Sequence, residues 1–266
     1  GRMFEFRVDP LSFKEFLAFK GADYQQTSLY ERELERLFGE FIVTLGFPEL
    51  VGVADKGVIR KYVKESIVEK IIYRDIPDLV GVKDASVIAA LLNILMEEPG
   101  QIIDISELAG ELNVSRQTAA LYMGYLEDAF LVRKLYNFSK SRRKVERKLR
   151  RYYPTLISAD LLFRDDDHSK SRVFEWLVVN QLKAEFFWRD PYKNEVDIVL
   201  AGERILPVEV KYGRLSFDGM TAFMKKFKVT EGCIISSKAK ERKEMDGRII
   251  SVIPAREFLL REGVPQ

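Results

Sequence analysis

The stretch EVDIVLAGERILPVEVKYG, residues 195–213, sets Asp197, Glu209 and Lys211 among residues that otherwise read as two buried β-strands. Side chains alternate along a strand, so Glu209 and Lys211 share one face while Leu206, Val208 and Val210 share the other. A four-residue loop, Ala201–Arg204, would put Asp197 opposite Val208, on the wrong face. A three- or five-residue loop, or a bulge, would put it opposite Glu209, and the sequence leaves this register open. Two carboxylates held a few ångströms apart repel, and each is driven toward its protonated form. A hard divalent cation with oxygen ligands, Mg²⁺ or Mn²⁺, removes the conflict. Such an ion binds a phosphate oxygen and lowers the pKa of bound water. Lys211 beside it can hold the attacking water or the developing charge. Two carboxylates and a lysine are a minimal kit for phosphodiester hydrolysis. The plainer alternative makes Glu209 and Lys211 an ordinary surface pair of small energetic value, with Asp197 capping the hairpin.

The elements that carry these residues follow from the pattern after residue 154. YYPTLISADLLF is apolar and strand-like, and SRVFEWLVVNQLKAEFF reads as a helix with Phe174, Leu177, Val178 and Leu182 for burial and Glu175 among them. After the hairpin, SFDGMTAFMKKFK reads as a helix, EGCIISS as a strand, and RIISVIPAREFLL as a strand with a terminal helix. This order predicts a compact α/β unit over 153–266. Asp165–His168 reads as a polar connection, Cys233 as a small buried strand residue, and Trp188 as core. Lys225 and Lys226 could touch phosphate or simply face solvent.

The first 82 residues predict a small helical unit. Ser12 and Glu15 form a capping box before FKEFLAF, Leu29, Leu34, Leu37, Phe38 and Phe41 make one helical stripe, and VIRKYVKESIVEKIIYRDI makes another helix ending near Pro77. Residues 83–152 predict a winged helix-turn-helix with a basic extension. A helix over 84–100 is followed by a second, then by the turn NVS, whose Ser115 caps a helix from Arg116 to Ala129 in the recognition position, then by a strand at Leu131–Leu135. Arg116 and Gln117 would meet a duplex. The run SKSRRKVERKLRRYY, 139–153, sets Arg142, Arg143, Lys144, Arg147 and Lys148, with three further arginines and lysines, against the single acid Glu146. It suits phosphate contacts, or a solvated linker.

Asp197, Glu209 and Lys211, as D-x11-E-x-K, resemble the motif of the PD-(D/E)xK restriction-endonuclease-like superfamily. That resemblance implies a further acid from the helix before the hairpin, here Glu175, so that Asp197, Glu209 and Glu175 would hold Mg²⁺ or Mn²⁺ and Lys211 would assist. VDPLSFKEFL, YVKESIVEKIIYRDI, LNVSRQTAALYMGYLEDAFLV and FEWLVVNQL precede the hairpin in an order similar to a widespread prokaryotic family of AAA-class ATPases, many of them archaeal. The resemblance implies a lid, a winged helix and a nuclease-like domain following a P-loop core. No G-x-x-x-x-G-K-[ST] occurs in the chain, so a P-loop upstream of Gly1 is expected and ATP is expected only with that longer protein. The overall expectation is a multidomain α+β protein that binds DNA and cleaves phosphodiesters. The rival is a non-catalytic nucleic-acid- or protein-binding module regulating a P-loop core, with self-association left open.

Composition bounds these readings. The chain has 266 residues, 47% hydrophobic and 32% charged, with 43 Lys and Arg against 41 Asp and Glu. A net charge of +2 says little about partners; the distribution says more. One cysteine and one histidine exclude a disulfide framework and argue against zinc. No apolar run approaches the roughly 20 residues needed to span a bilayer, and the N-terminus lacks a signal-peptide plan, so a reducing, cytoplasmic setting is expected.

Overall fold

The computed structural model describes residues 4, 8–22, 30–80, 82, 84–141, 143, 145 and 149–261. MFEFRV, residues 3–8, whose alternation reads as a strand, falls mainly outside that set, and the stripe residue Leu29 wholly outside it. The first described helix, α1 (Phe13–Phe19), begins at the expected capping box: the Glu15 N–H donates to Ser12 Oγ at 3.2 Å and the Ser12 N–H to Glu15 Oε2 at 2.7 Å. Helix α2 (Glu31–Thr44) buries Leu34, Leu37 and Phe41, and Phe41 packs on both Phe13 and Phe16 at 5.4 Å between ring centroids. Helix α3 (Lys56–Lys61) runs into two stretches of wide, π-type turns, Tyr62–Val68 and Ile71–Asp75, before α4 (Ile76–Val80). The helix runs three residues past Pro77, to Val80. Pro77 lies inside a continuous run of helical turns, directly after the wide π-type turns of Ile71–Asp75.

Next come α5 (Ser86–Glu97), β1 (Gln101–Ile102), α6 (Ile105–Glu111), α7 (Arg116–Asp128), β2 (Val132–Asn137) and β3 (Arg150–Pro154). Asp104 caps α6, and Ser115 caps α7 as expected, through bonds to Ser106 N–H at 2.7 Å and Thr118 N–H at 3.0 Å. The remainder is α8 (Ala159–Leu162), α9 (Asp167–Gln181), β4 (Phe186–Arg189), β5 (Glu195–Val196), β6 (Ile198–Ala201), β7 (Ile205–Lys211), α10 (Asp218–Phe227), β8 (Glu231–Ser236), β9 (Glu241–Met245), β10 (Arg248–Pro254) and α11 (Ala255–Phe258). Two differences from the sequence reading stand out. ADLL is a short helix rather than strand, because the Ser158 side chain caps it at Leu161. Strand β9 was not anticipated, since its residues are mostly exposed and charged, as suits an edge strand.

The strands form two mixed sheets, ordered β1-β3-β2-β4-β5 and β6-β7-β8-β10-β9, in the α+β class expected. The first sheet joins the two halves of the chain, for β2 pairs in parallel with β4 at Tyr136↔Phe186 and Asn137↔Phe187. The Asn137 side chain fastens the junction, donating to the Arg189 carbonyl at 2.9 Å and accepting from the Arg189 N–H at 3.2 Å. Buried apolar side chains run as one cluster from Phe13 through Leu92, Leu135 and Leu177 to Phe258. A second, aromatic cluster sets Trp188 at 5.3 Å and Phe138 at 6.0 Å from Phe223, between ring centroids. No helix among the described residues is long and apolar enough to cross a membrane.

Candidate carboxylate–lysine site

The hairpin register follows from its loop. Ala201 pairs with Ile205, so Gly202–Arg204 make a three-residue connection, and the ladder runs back to Ile198↔Val208. One further step in the same register sets Asp197 opposite Glu209. The chain bends at Asp197, between β5 and β6, and Asp197 Oδ2 accepts the Val210 N–H at 2.9 Å. That bond fixes the carboxylate against β7 and supplies a partner for a group only 8% exposed. Strand β7 lies between β6 and β8, so both its edges are paired. Pro207 is tolerated because the pairing with β8 starts only at Val208↔Cys233.

Glu209 is 3% exposed. Its Oε2 meets Lys211 Nζ at 3.0 Å, while Oε1 is buried with no hydrogen bond of good geometry among the described residues, the Met220 N–H of α10 acting on the carboxylate only weakly. Oε1 lies against Gly219 in the first turn of α10. A Cβ added there would sit 2.9 Å from Oε1 and well inside contact distance of the Glu195 carbonyl oxygen. The backbone of α10 can approach the carboxylate this closely only because residue 219 has no side chain.

Glu175 projects from α9 toward the same place, and its Oε1 accepts the Tyr153 hydroxyl at 2.6 Å. Between it and the hairpin lies Arg151, from β3. One guanidinium nitrogen is 3.7 Å from Glu175 Oε1 and 3.6 Å from Asp197 Oδ1; another is 2.6 Å from Glu195 Oε1. The guanidinium also lies over the Phe187 ring, 5.4 Å from its centroid. Four carboxyl groups thus face three cations in a poorly hydrated setting, Arg151 and Lys211 within the site and Arg189 at its edge, 3.6 Å from Glu195 Oε2.

Protonation follows from that imbalance. Burial, with Asp197 adding and Arg151 and Tyr153 opposing, pushes the Glu175 carboxyl up to about 7. Burial also pushes Glu209 up to about 7, with Lys211 opposing and Asp197 adding. For Lys211 burial disfavours the charge, but Asp197, Glu209 and Glu175 outweigh it and hold the ammonium above its ordinary range. Burial, then Glu175, drives the Tyr153 hydroxyl well above the usual phenol range, so it remains a donor.

An oxygen-only donor set with one buried, unpartnered carboxylate oxygen fits a hard divalent cation bound through Asp197 and Glu209. The third expected ligand, Glu175, is engaged by Tyr153 and Arg151. Correspondingly, no three acidic, His or Cys side chains among the described residues close at metal-holding distances. The site opens on a pocket of about 730 Å³ lined by Glu175, Asp197, Lys211, His168, Ser171 and Arg214. His168, expected in a polar connection, instead lies in the first turn of α9, where it shares a helix face with Ser171 and Glu175.

The structure therefore brings Glu175, Asp197, Glu209 and Lys211 together and adds three groups that sequence reasoning missed: Arg151, Tyr153 and Glu195. Arg150 and Arg151, read as the end of a polyanion-binding or solvated run, join Tyr152 and Tyr153, read as strand-like, in β3. In it Arg151 and Tyr153 turn inward on one face. The alternation in RRYYP was the available signal. Of the nucleic-acid candidates, Arg116 and Gln117 are exposed in the first turn of α7, on a face that continues with the uncharged Ala120 and the half-exposed Leu121. Arg143 is exposed. Arg142, Lys144, Arg147 and Lys148 lie outside the described residues.

Residues 35–155 match the family model described as a domain of unknown function, DUF8612, and residues 170–258 match that of another, DUF4143. An uncharacterized protein of Methanocaldococcus jannaschii is 29% identical over 226 residues, covering 80% of this chain and 50% of its own length. One of Haemophilus influenzae is 32% identical over 136 residues, covering 49% of this chain and 32% of its own length. The chain thus spans half or less of these curated relatives. No solved structure matches it.

Proposed function

We propose that this chain binds nucleic acid, DNA in the first instance, and hydrolyses phosphodiester bonds with the help of a divalent cation, Mg²⁺ or Mn²⁺. In this reading α5 to β3 form a winged helix-turn-helix. The succession α9, β4, β5–β6, β7, α10, β8 forms a PD-(D/E)xK-like core, the order in which that fold places its helix, hairpin and motif strand. The observation that carries the reading is the three-residue hairpin loop, which sets Asp197 opposite Glu209 with Lys211 two residues on.

Each residue then has a role. Asp197 and Glu209 would hold the cation, Asp197 through the oxygen not committed to the Val210 N–H. When bound, the cation supplies Lewis acidity toward a phosphate oxygen and a more acidic water. Lys211 stays protonated at neutral pH, so it is no proton acceptor; it offers charge and hydrogen bonds to the phosphate in the pocket. Glu175, poised near neutrality by burial and Asp197, can exchange a proton at its carboxyl. Arg214 and His168 line the pocket wall and would meet the flanking phosphates. Since the match covers only 50% and 32% of the curated relatives' own lengths, a P-loop ATPase core and ATP belong to the longer protein in this reading.

The second reading is a non-catalytic module that regulates such a core. Arg151 favours it, because it supplies a cation to Glu175, Glu195 and Asp197 from the chain itself. Incubating the chain with supercoiled plasmid in Mg²⁺ or Mn²⁺, beside Asp197→Ala and Lys211→Ala, separates the two. Cleavage abolished in both variants supports hydrolysis at this site. DNA binding without cleavage supports the module.

A further inference from the structure

We propose that Arg151 is a built-in counter-cation that closes the carboxylate site, so that a divalent cation and the guanidinium compete for it. The inference rests on the metal-binding part of the function proposed above and names how that site is controlled.

Three observations carry it. First, Arg151 stands where charge is needed. It reaches Glu175 and Asp197 with the same nitrogen, at 3.7 and 3.6 Å, distances of electrostatic attraction rather than of tight hydrogen bonds. Its close anchor is Glu195, at 2.6 Å, outside the Asp197–Glu209 pair. A guanidinium so held neutralises the ligands yet has a partner to fall back on when a cation arrives. Second, the balance is left incomplete. Glu209 Oε1 has no partner among the described residues, and neither has the buried Arg151 Nε. On its Glu209 side the site therefore lacks a counter-charge for one oxygen, which is packed against Gly219 and would have to turn to meet a cation, while Arg151 guards its Glu175 side.

Third, the guard and the guarded groups come from different parts of the chain. Arg151 and Tyr153 lie in β3, inside the segment 35–155 matched by one family model. Glu175, Glu195, Asp197, Glu209 and Lys211 lie inside 170–258, matched by the other. Strand β3 is held by β1 and β2, through Gln101↔Tyr152 and Lys134↔Tyr152 among others. Its inner face is also fixed by the turn between α5 and β1: Gly100, with φ +84°, passes so close to the Tyr153 ring that a Cβ there would fall 2.9 Å from it. Arg151 thus reports the position of the first segment to the carboxylates of the second. Any displacement of β3 that withdraws it uncovers the third ligand, Glu175. The guanidinium is permanently charged, so the competition is set by position and not by protonation.

The test is direct Mn²⁺ binding to the 266-residue chain by calorimetry, with MnCl₂ as the probe. Comparison is with Arg151→Met and with Arg151→Gln, which keeps hydrogen-bonding capacity and serves if the methionine variant does not fold. Removing a unit charge this close to Asp197 and Glu175 is expected to tighten Mn²⁺ binding by about tenfold or more, the scale on which one neighbouring charge shifts a carboxylate equilibrium. Arg151→Lys, which keeps the charge, is expected to stay within about threefold of the wild type on the same grounds. Adding Asp197→Asn to Arg151→Gln should abolish the gain. Equal or weaker binding in the neutral variants, or a gain that survives Asp197→Asn, overturns the proposal. Plasmid cleavage in the same samples separates the two readings. Tighter Mn²⁺ binding without cleavage leaves the counter-cation standing and removes the nuclease. Cleavage by the wild type with no change in Mn²⁺ affinity in the neutral variants does the reverse.

Discussion

Replacing Glu209 by glutamine should stabilise the metal-free protein, increasingly so as the pH rises. Glu209 is 3% exposed, one of its oxygens has no partner, and burial lifts its carboxyl from 4.5 to about 7. Between those two values the folded chain keeps a proton that the unfolded chain has released. Stability therefore falls as pH rises through that window and levels off above it. A displacement of 2.5 units at 1.36 kcal/mol each caps the penalty at about 3 kcal/mol, present in full near pH 8 and absent near pH 4.5. Glutamine carries no such penalty, whatever constant offset its altered hydrogen bonds add. The assay is urea unfolding of wild type and Glu209→Gln in EDTA at half-unit steps from pH 4.5 to 8. The stability difference, variant minus wild type, should climb by up to about 3 kcal/mol and then flatten. A difference that stays level across the window would refute the reasoning, since it would mean that Glu209 ionises as freely in the fold as outside it.

Other consequences are as concrete. Gly219→Ala, which at an ordinary helix position would gain up to about 1 kcal/mol, should instead cost about 1–3 kcal/mol in thermal or urea unfolding, because the new methyl group drives α10 off the Glu195 carbonyl and Glu209. If the basic run binds DNA through phosphates, alanine at both Arg142 and Arg143 should lower the slope of log affinity against log salt by about two in a fluorescence-anisotropy titration, with little change in sequence preference. An unchanged slope would place the DNA contacts elsewhere. Lys211→Ala, tested for plasmid cleavage, should lower the rate by about a hundredfold or more, on the scale of losing one charge-stabilising donor, while leaving Mn²⁺ affinity no weaker than in wild type.

Much of the local structure was legible because it depends on near neighbours. Ser12 with Glu15, Ser115 with Thr118, and the 3.6-residue stripe of Leu34, Leu37 and Phe41 all express interactions within one or two turns. The candidate site was half legible for the same reason. Glu209 and Lys211 are two residues apart on one strand, so alternation alone joins them. Asp197 needed the register, which turns on whether Ala201 belongs to the loop or to the strand; the sequence AGER allows either. Glu175 came from resemblance and from the oddity of an acid amid Phe174, Leu177 and Val178. Arg151 was hidden by its company: eight basic residues around a single acid announce a solvated run, and only the pairing of β3 with β2 turns its last residues into strand. Glu195 and Tyr153 were invisible because their places in the site come from pairing Glu195 with Arg151 and Tyr153 with Glu175, contacts between segments 22 or more residues apart. The helix that continues past Pro77 was misjudged because the wide turns before it have no sequence signature of their own.

The most direct measurement is the anomalous scattering from a crystal of the Arg151→Gln chain grown with Mn²⁺. The account predicts a single strong peak at the Asp197–Glu209 pair, with Glu175 turned toward it. A manganese peak elsewhere on the chain, or Glu209 Oε1 still buried without a partner at saturating Mn²⁺, would contradict it.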